Sequence, residues 1–213
     1  GLVLVPTGGA LPSAAVDGVV VYSVAADDPL LDAARNLPTV IIDQPAGTGL
    51  PMVGIDDRAA AYDAARHLTD RGHRRFAIVT FALTSASGTG YDVSRNRLDG
   101  YEAALAEAGA TWSVIECDGS TRALGREAAG RIDAAAVLAT SDVLALGVLE
   151  ERPELAVVGF DDIPEAAAAG LTTIRQDHRA KGRAAAELLL DRRQTSETLP
   201  YELIVRASSG SSG

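Results

Sequence analysis

Along the chain, short runs of β-branched and small apolar residues alternate with stretches in which apolar positions recur every three or four residues. The first pattern predicts strands buried on both faces and the second predicts amphipathic helices, so the alternation points to α/β architecture with parallel sheets. Gly1–Pro6 (GLVLVP), Asp17–Ser23 (DGVVVYS) and Pro38–Asp43 (PTVIID) read as three buried strands. Between the last two, Leu30, Leu31, Ala33 and Ala34 predict a short helix, which makes a βαβ unit. Residues 46–54, with Gly47, Gly49 and Pro51, read as a loop, and Val53–Ile55 as a short extended crossing segment. A helix follows over Arg58–Arg71, with Asp56 or Asp57 as its cap, Ala61, Ala65 and Leu68 on one face and Gly72 as its stop.

The same alternation continues to the end. Gly72–Val79 predicts a strand, Thr84–Gly90 (TSASGTG) a small polar segment, and Val93–Ala108 a helix whose buried stripe is Leu98, Tyr101, Leu105 and Ala108. Thr111–Cys117 reads as a strand, Thr121–Ala129 as a helix, Ala134–Ala139 as a strand and Asp142–Glu150 as a helix capped by Ser141. Ala156, Val157 and Val158 then form a buried strand that runs through Gly159 to Asp161 and Asp162, at the strand end where open α/β sheets bind ligands. Ala180–Leu190 predicts an amphipathic helix, Leu199–Ala207 a closing strand, and the final Ser/Gly run a tail.

With 213 residues and 47% hydrophobic content, the chain can fill the core of one large or two small domains. Aromatics make up only 4%, which favours helices packed on sheets over an all-β sandwich. A net charge of −10 opposes binding to nucleic acid or anionic lipid through this chain. Cys117 is a single cysteine and cannot form an internal disulfide, and no signal peptide or run of membrane-spanning length is present, so a cytoplasmic location is expected. Gly1 is an unexpected native start, so an N-terminal segment is expected to precede it.

Candidate chemistry is sparse. His67, His73 and His178 show no metal-ligand spacing, and a single His at a helix-to-strand turn such as His73 reads as structural. Trp112, at the start of its strand, reads as a packing residue rather than a stacking platform. There is no phosphate-cradling GxxxxGK[ST], no GxSxG elbow and no GxGxxG opening a helix, so neither an enzyme nor a cofactor is expected. Asp161 and Asp162 could serve acid–base chemistry only if they converged, and strand-end alternation turns them apart.

Four segments together resemble the Lac repressor (LacI/GalR) family of transcriptional regulators. They are GFDD (Gly159–Asp162) followed by TTI-x-Q (Thr172–Gln176), GHRRFAIV (Gly72–Val79), S-x-x-R-x-x-GY-x-x-AL from Ser94 to Leu105, and the Thr140–Asp142 turn before ALG. The resemblance spans Val3–Ser208 and implies a periplasmic-binding-protein type I-like fold, with two doubly wound parallel-sheet subdomains joined by three crossings. It implies an N-terminal subdomain of 1–54 and 178–196 and a C-terminal one of 55–177 and 197–213. It also implies that Arg97 and Asp161 bind a small-molecule effector, with Ser141 and Gln176 nearby and Asp43 facing them from the other side. Ser141 stands where the family often has Asn, and a pure N-cap role competes with ligand binding. Two departures stand out: only eleven residues separate Val5 from Asp17, and the link from Leu149 to Leu155 is short. The implied function is effector sensing, with a sugar or related polar metabolite closing the cleft and a helix-turn-helix headpiece outside this chain reading operator DNA. A homodimer is implied as well, with the helix after Asp57 and the Ser141–Glu150 region as contact faces. The alternative is a solute-binding protein that feeds a transporter.

Overall fold

The computed structural model describes residues 16–24, 28–43, 47–81, 83 and 91–210; the strand expected over Gly1–Pro6, the segment Thr84–Gly90 and the last three residues lie outside them. In chain order the elements are β1 (Val19–Tyr22), α1 (Pro29–Ala34), β2 (Thr39–Ile42), β3 (Met52–Gly54), α2 (Asp57–Asp70), β4 (Arg75–Phe81), α3 (Tyr91–Glu107), β5 (Thr111–Cys117) and α4 (Arg122–Ala129). They continue with β6 (Ala136–Ala139), α5 (Asp142–Glu151), β7 (Ala156–Asp161), α6 (Pro164–Ala168), β8 (Thr172–Gln176), α7 (His178–Leu190), β9 (Glu197–Thr198) and β10 (Tyr201–Ile204), and a 3-10 turn closes the chain at Ala207–Ser209.

These elements form two units. Among the described residues, the first holds those up to Ile55, residues 91–93 and Asp177–Leu199; the second holds Asp56–Leu83, Ser94–Gln176 and Pro200 onward. Among the described residues, the chain passes between the units at Ile55/Asp56, at Val93/Ser94 near the start of α3, at Gln176/Asp177 and at Leu199/Pro200.

The first unit is a parallel sheet ordered β1-β2-β3-β9. Because β2 is buried on both faces, its residues serve two cores in alternation. Val40 and Ile42 pack with Val53 and with Ala184, Ala185 and Leu188 of α7. Ile41 packs on the opposite face with Val21, Leu31 and Ala34, the last two from α1.

The second unit is a six-stranded sheet ordered β10-β8-β7-β6-β4-β5, parallel except for β10, which runs antiparallel to β8. The central strands β4, β6 and β7 are continuous apolar runs because helices cover both sides. Ala77, Val79, Val137, Ala139 and Val157 share one core with α4 and α5. The sheet reverses direction of growth between β4 and β6, which puts the switch point of this doubly wound sheet at the carboxyl ends of β4 and β6, with β7 beside β6. Two caps fall as the sequence suggests, Asp56 accepting the Ala59 N–H and Ser141 the Leu144 N–H; Thr121, read as the first residue of its helix, is instead its cap and accepts the Leu124 N–H. The structure adds a short helix, α6, between the GFDD and TTI-x-Q segments, where the sequence predicts no element; Pro164 pre-sets its first turn and an alanine run continues it. Trp112 is half-buried and donates its indole N–H to Glu102 at 3.1 Å, as a packing residue should. No helix among the described residues is long and apolar enough to cross a membrane.

Two contacts lock the second unit. Helices α4 and α5 meet at Gly125 and Gly147: a Cβ on Gly147 would lie 2.2 Å from the Arg122 carbonyl oxygen, and one on Gly125 2.3 Å from that of Leu144. At the chain's end, buried His67 of α2 stands 2.9 Å from Arg71 Nη1 through Nδ1 and 2.9 Å from Ser209 Oγ through Nε2. Because a guanidinium only donates, Nδ1 must be the acceptor and Nε2 carries the proton toward Ser209. Thr172 Oγ1 donates to the same Ser209 oxygen at 2.8 Å.

Gly147→Ala gains helix propensity yet meets backbone with no room to move, so a net loss of about 1–3 kcal/mol is expected from urea unfolding. Burial first, and the Arg71 charge second, lower the His67 pKa below its ordinary 6.5. The folded state therefore resists protonation, and the stability tied to neutral His67 is complete above pH 6.5 and declines as the pH falls through that value toward the lowered one. Unfolding free energies measured from pH 8 to 5 should show wild type losing ground to His67→Gln below pH 6.5.

Candidate functional site

Helix α3 buries Leu98, Tyr101 and Leu105 against the sheet, and this orientation carries Arg97 inward until only 5% of it is exposed. Its Nε donates to Asp57 Oδ1 at 2.8 Å; its Nη1 donates to the Thr140 carbonyl at 2.7 Å and to Asp161 Oδ1 at 3.4 Å. The guanidinium lies over the Phe160 ring, 3.6 Å from its centroid. Burial by itself would lower the pKa of Arg97, but the charges of Asp57 and Asp161 outweigh it and hold the group above its ordinary value.

Asp161 ends β7 with φ at 120° and Asp162 follows at 56°, two successive non-glycine residues in a region that a Cβ disfavours. Asp161 accepts the Gln176 amide N–H at 2.6 Å from the end of β8. Asp162 faces other partners, Arg175 Nε and Arg206 Nη2, each at 2.7 Å. Burial would raise the Asp162 carboxyl, but the two arginine hydrogen bonds prevail and hold it below the usual carboxylate range. The two aspartates thus turn apart, and the pair is not an acid–base couple.

At the end of β6, Ser141 caps α5 and also shares a hydrogen bond with the Ser120 hydroxyl at 2.7 Å, so its capping role coexists with a second polar contact. In the first unit, Asp43 sits at the end of β2 with φ at 67°, buried, and its carboxylate accepts from buried Lys181 of α7. Arg97, Asp161 and Gln176 are therefore one bonded cluster in the second unit, with Ser141 at the end of neighbouring β6; Asp43 is tied to its own unit by Lys181. Asp57, Phe160, Ser120 and Lys181 are members that sequence reasoning missed. The sequence marks Asp57 only as a possible cap, and a lysine on an otherwise apolar helix face is the one available signal for Lys181. Among the described residues, no three His, Cys, Asp or Glu side chains are placed to hold a metal ion.

Residues 65–209 match the family model described as a periplasmic binding protein-like domain. A crystal structure of a LacI-family transcriptional regulator from Corynebacterium glutamicum superposes with a TM-score of 0.84 at 34% identity, over 93% of this chain and 69% of that one. The chain belongs to the LacI family of transcriptional regulators. Among relatives, the HTH-type transcriptional regulator IpsA of C. glutamicum is 39% identical over 84% of this chain and 58% of its own length. The HTH-type transcriptional regulator Rv3575c of Mycobacterium tuberculosis is 33% identical over 94% and 66%. The chain therefore spans about three-fifths of the length of these relatives. A transcriptional regulator CelR–cellobiose complex has the same fold, with a TM-score of 0.77 and 30% identity over 91% of this chain and 66% of that one. These relatives are regulators rather than enzymes.

Removing the guanidinium leaves the Asp57 carboxylate, whose side chain is 1% exposed, and that of Asp161 without their shared cation. Arg97→Leu should therefore cost about 3–5 kcal/mol in urea unfolding, as breaking a buried ion pair from one side does.

Proposed function

We propose that this chain is the effector-sensing part of a LacI-type regulator, that its effector is an uncharged, hydroxyl-rich small molecule such as a sugar, and that effector binding controls recognition of operator DNA by a helix-turn-helix segment elsewhere in the full protein. The observation that carries the reading is the Arg97–Asp161–Gln176 cluster at the carboxyl ends of the strands. Its donors and acceptors are held rigidly, and the cation is balanced by Asp57 and Asp161. Such a cluster offers directional hydrogen bonds without surplus positive charge, which suits hydroxyl groups better than an anion. The proposed effector contacts of the second unit are Arg97, Asp161, Ser141 and Gln176; Asp43, positioned by Lys181, is proposed for the first. The CelR–cellobiose complex, a relative with a sugar in place, is consistent with this class.

The chain's charge of −10 supports assigning operator binding to another segment, because specific recognition requires phosphate neutralisation together with side chains at base edges. A cytoplasmic homodimer is the proposed working state.

A thermal-shift screen of sugars, polyols, nucleosides and amino acids is expected to raise the melting temperature with at least one neutral polyhydroxylated compound, because a ligand bound only by the native state stabilises it. For that compound, Asp161→Asn should lower affinity about tenfold or more, the value of a lost charge-assisted hydrogen bond. Stabilisation by anionic compounds alone would refute the assigned class. In mobility shifts at fixed salt, this chain should show no sequence-selective DNA binding, while the protein with its preceding segment should show it and respond to the compound. Sedimentation at tens of micromolar is expected to show a dimer.

A further inference from the structure

Asp142 is completely buried at the start of α5, and its two carboxylate oxygens hold two other elements. Oδ1 accepts the Thr173 hydroxyl of β8 at 2.5 Å, and Oδ2 accepts the backbone N–H of Ile163 at 2.9 Å. The chain makes room for this carboxylate at Gly159, where a Cβ would lie 2.3 Å from Oδ1. Ile163 directly follows Asp161 and Asp162, the two residues at positive φ. Backbone of that kind persists only where its surroundings over-determine it. The Ile163 N–H bond secures the exit of the turn, while Thr173 ties the same carboxylate to the strand that also bears Gln176, the partner of Asp161.

We propose that Asp142 is the positioning residue of the site: by gripping Ile163 and Thr173 together it keeps Asp161 turned toward Arg97 and Gln176. The relevance of this grip to effector recognition rests on the function proposed above, whereas the control of the turn by Asp142 can be tested without any effector.

The grip depends on charge. The ionisable groups that bear on Asp142 are Asp161 and Asp162 from the end of β7 and Tyr101 from α3, with Arg97 of α3 reaching the region through its bond to Asp161. Burial, reinforced by Asp161 and Asp162, pushes its pKa up to about 6 against the opposing hydrogen bonds from Thr173 and Ile163. Above that pH an anion accepts the Ile163 N–H. Below it, Thr173 can reverse its hydroxyl to accept from a protonated Oδ1, but the Ile163 N–H is left with a neutral acceptor, and a neutral hydrogen bond is roughly half as strong as a charge-assisted one. The turn is therefore held firmly above about pH 6 and loosens below it.

The test is a pH titration of the ligand-free chain by NMR, following the Ile163 backbone amide and the Gln176 side-chain amide. In wild type both should titrate with one shared midpoint near pH 6. In Asp142→Asn, which keeps the shape and removes the charge, that midpoint should vanish from both signals. In Thr173→Val, which removes a donor to the ionised form, the shared midpoint should move to higher pH; this variant also keeps the test open if Asp142→Asn fails to fold. A Gln176 signal that stays still while Ile163 titrates would overturn the proposal, as would an unchanged midpoint in Asp142→Asn or Thr173→Val. A chain that shows the titration but is stabilised by none of the screened neutral compounds would retain the positioning role while losing the effector reading.

Discussion

A guanidinium withdrawn from water costs several kcal/mol unless its charge and its donors are matched, and the second unit is built around meeting that requirement for Arg97. The match is assembled from distant parts of the chain: Asp57 from the start of α2, the Thr140 carbonyl from the end of β6, Asp161 and the Phe160 ring from β7. Each of these elements must be in register for the cation to be satisfied, so the charge acts as a check on the packing of α2 and α3 against the sheet. The same residues that secure the fold also place a fixed set of donors and acceptors at the strand ends.

The turn after β7 shows how the same backbone region gives adjacent carboxylates different work. Asp161 is directed to Arg97 and Gln176, and Asp162 to Arg175 and Arg206. Arg206 also donates to the Leu171 carbonyl, so the Asp162 side of the turn is pinned to the segment that follows β10. One carboxylate contributes to the polar cluster while its neighbour anchors the loop that presents it. Acid–base chemistry would require the pair to converge, and the strained backbone keeps them apart.

The close contact of α4 with α5 adds a rigid support beneath this arrangement. Gly125 and Gly147 allow the two helices nearly to touch, and Arg122 and Arg126 both reach Glu150 across the contact. These ion pairs are half-exposed and contribute little by themselves. The backbone contact is the stronger constraint, and it holds α5, with Ser141 and Asp142 at its start, firmly against the sheet. Because packed interiors yield little, this contact leaves Ser141 and Asp142 little freedom to shift relative to α4.

How much of this was legible in the sequence follows from the range of the interactions involved. Strands such as Val157–Val158, the helices that begin at Asp57 and Asp142, their caps, and the α/β class all express local periodicity and capping chemistry, which the chain carries within a few residues. Arg97 and Asp161 could be picked out because their surrounding segments resemble those of a known family. What the sequence could not reveal is the pairing of groups far apart along it: Arg97 with Asp57, Ser120 with Ser141, Asp43 with Lys181, Asp142 with Thr173 and Ile163. No local pattern marks such pairs, since a buried charge selects its partner by proximity in three dimensions and the desolvation that makes the partner necessary exists only once the core has formed. The sequence by itself determined the α/β class and most of the elements, because local periodicity and capping carry them, while the short helix α6 and the choice of which charges meet were decided by the tertiary structure alone.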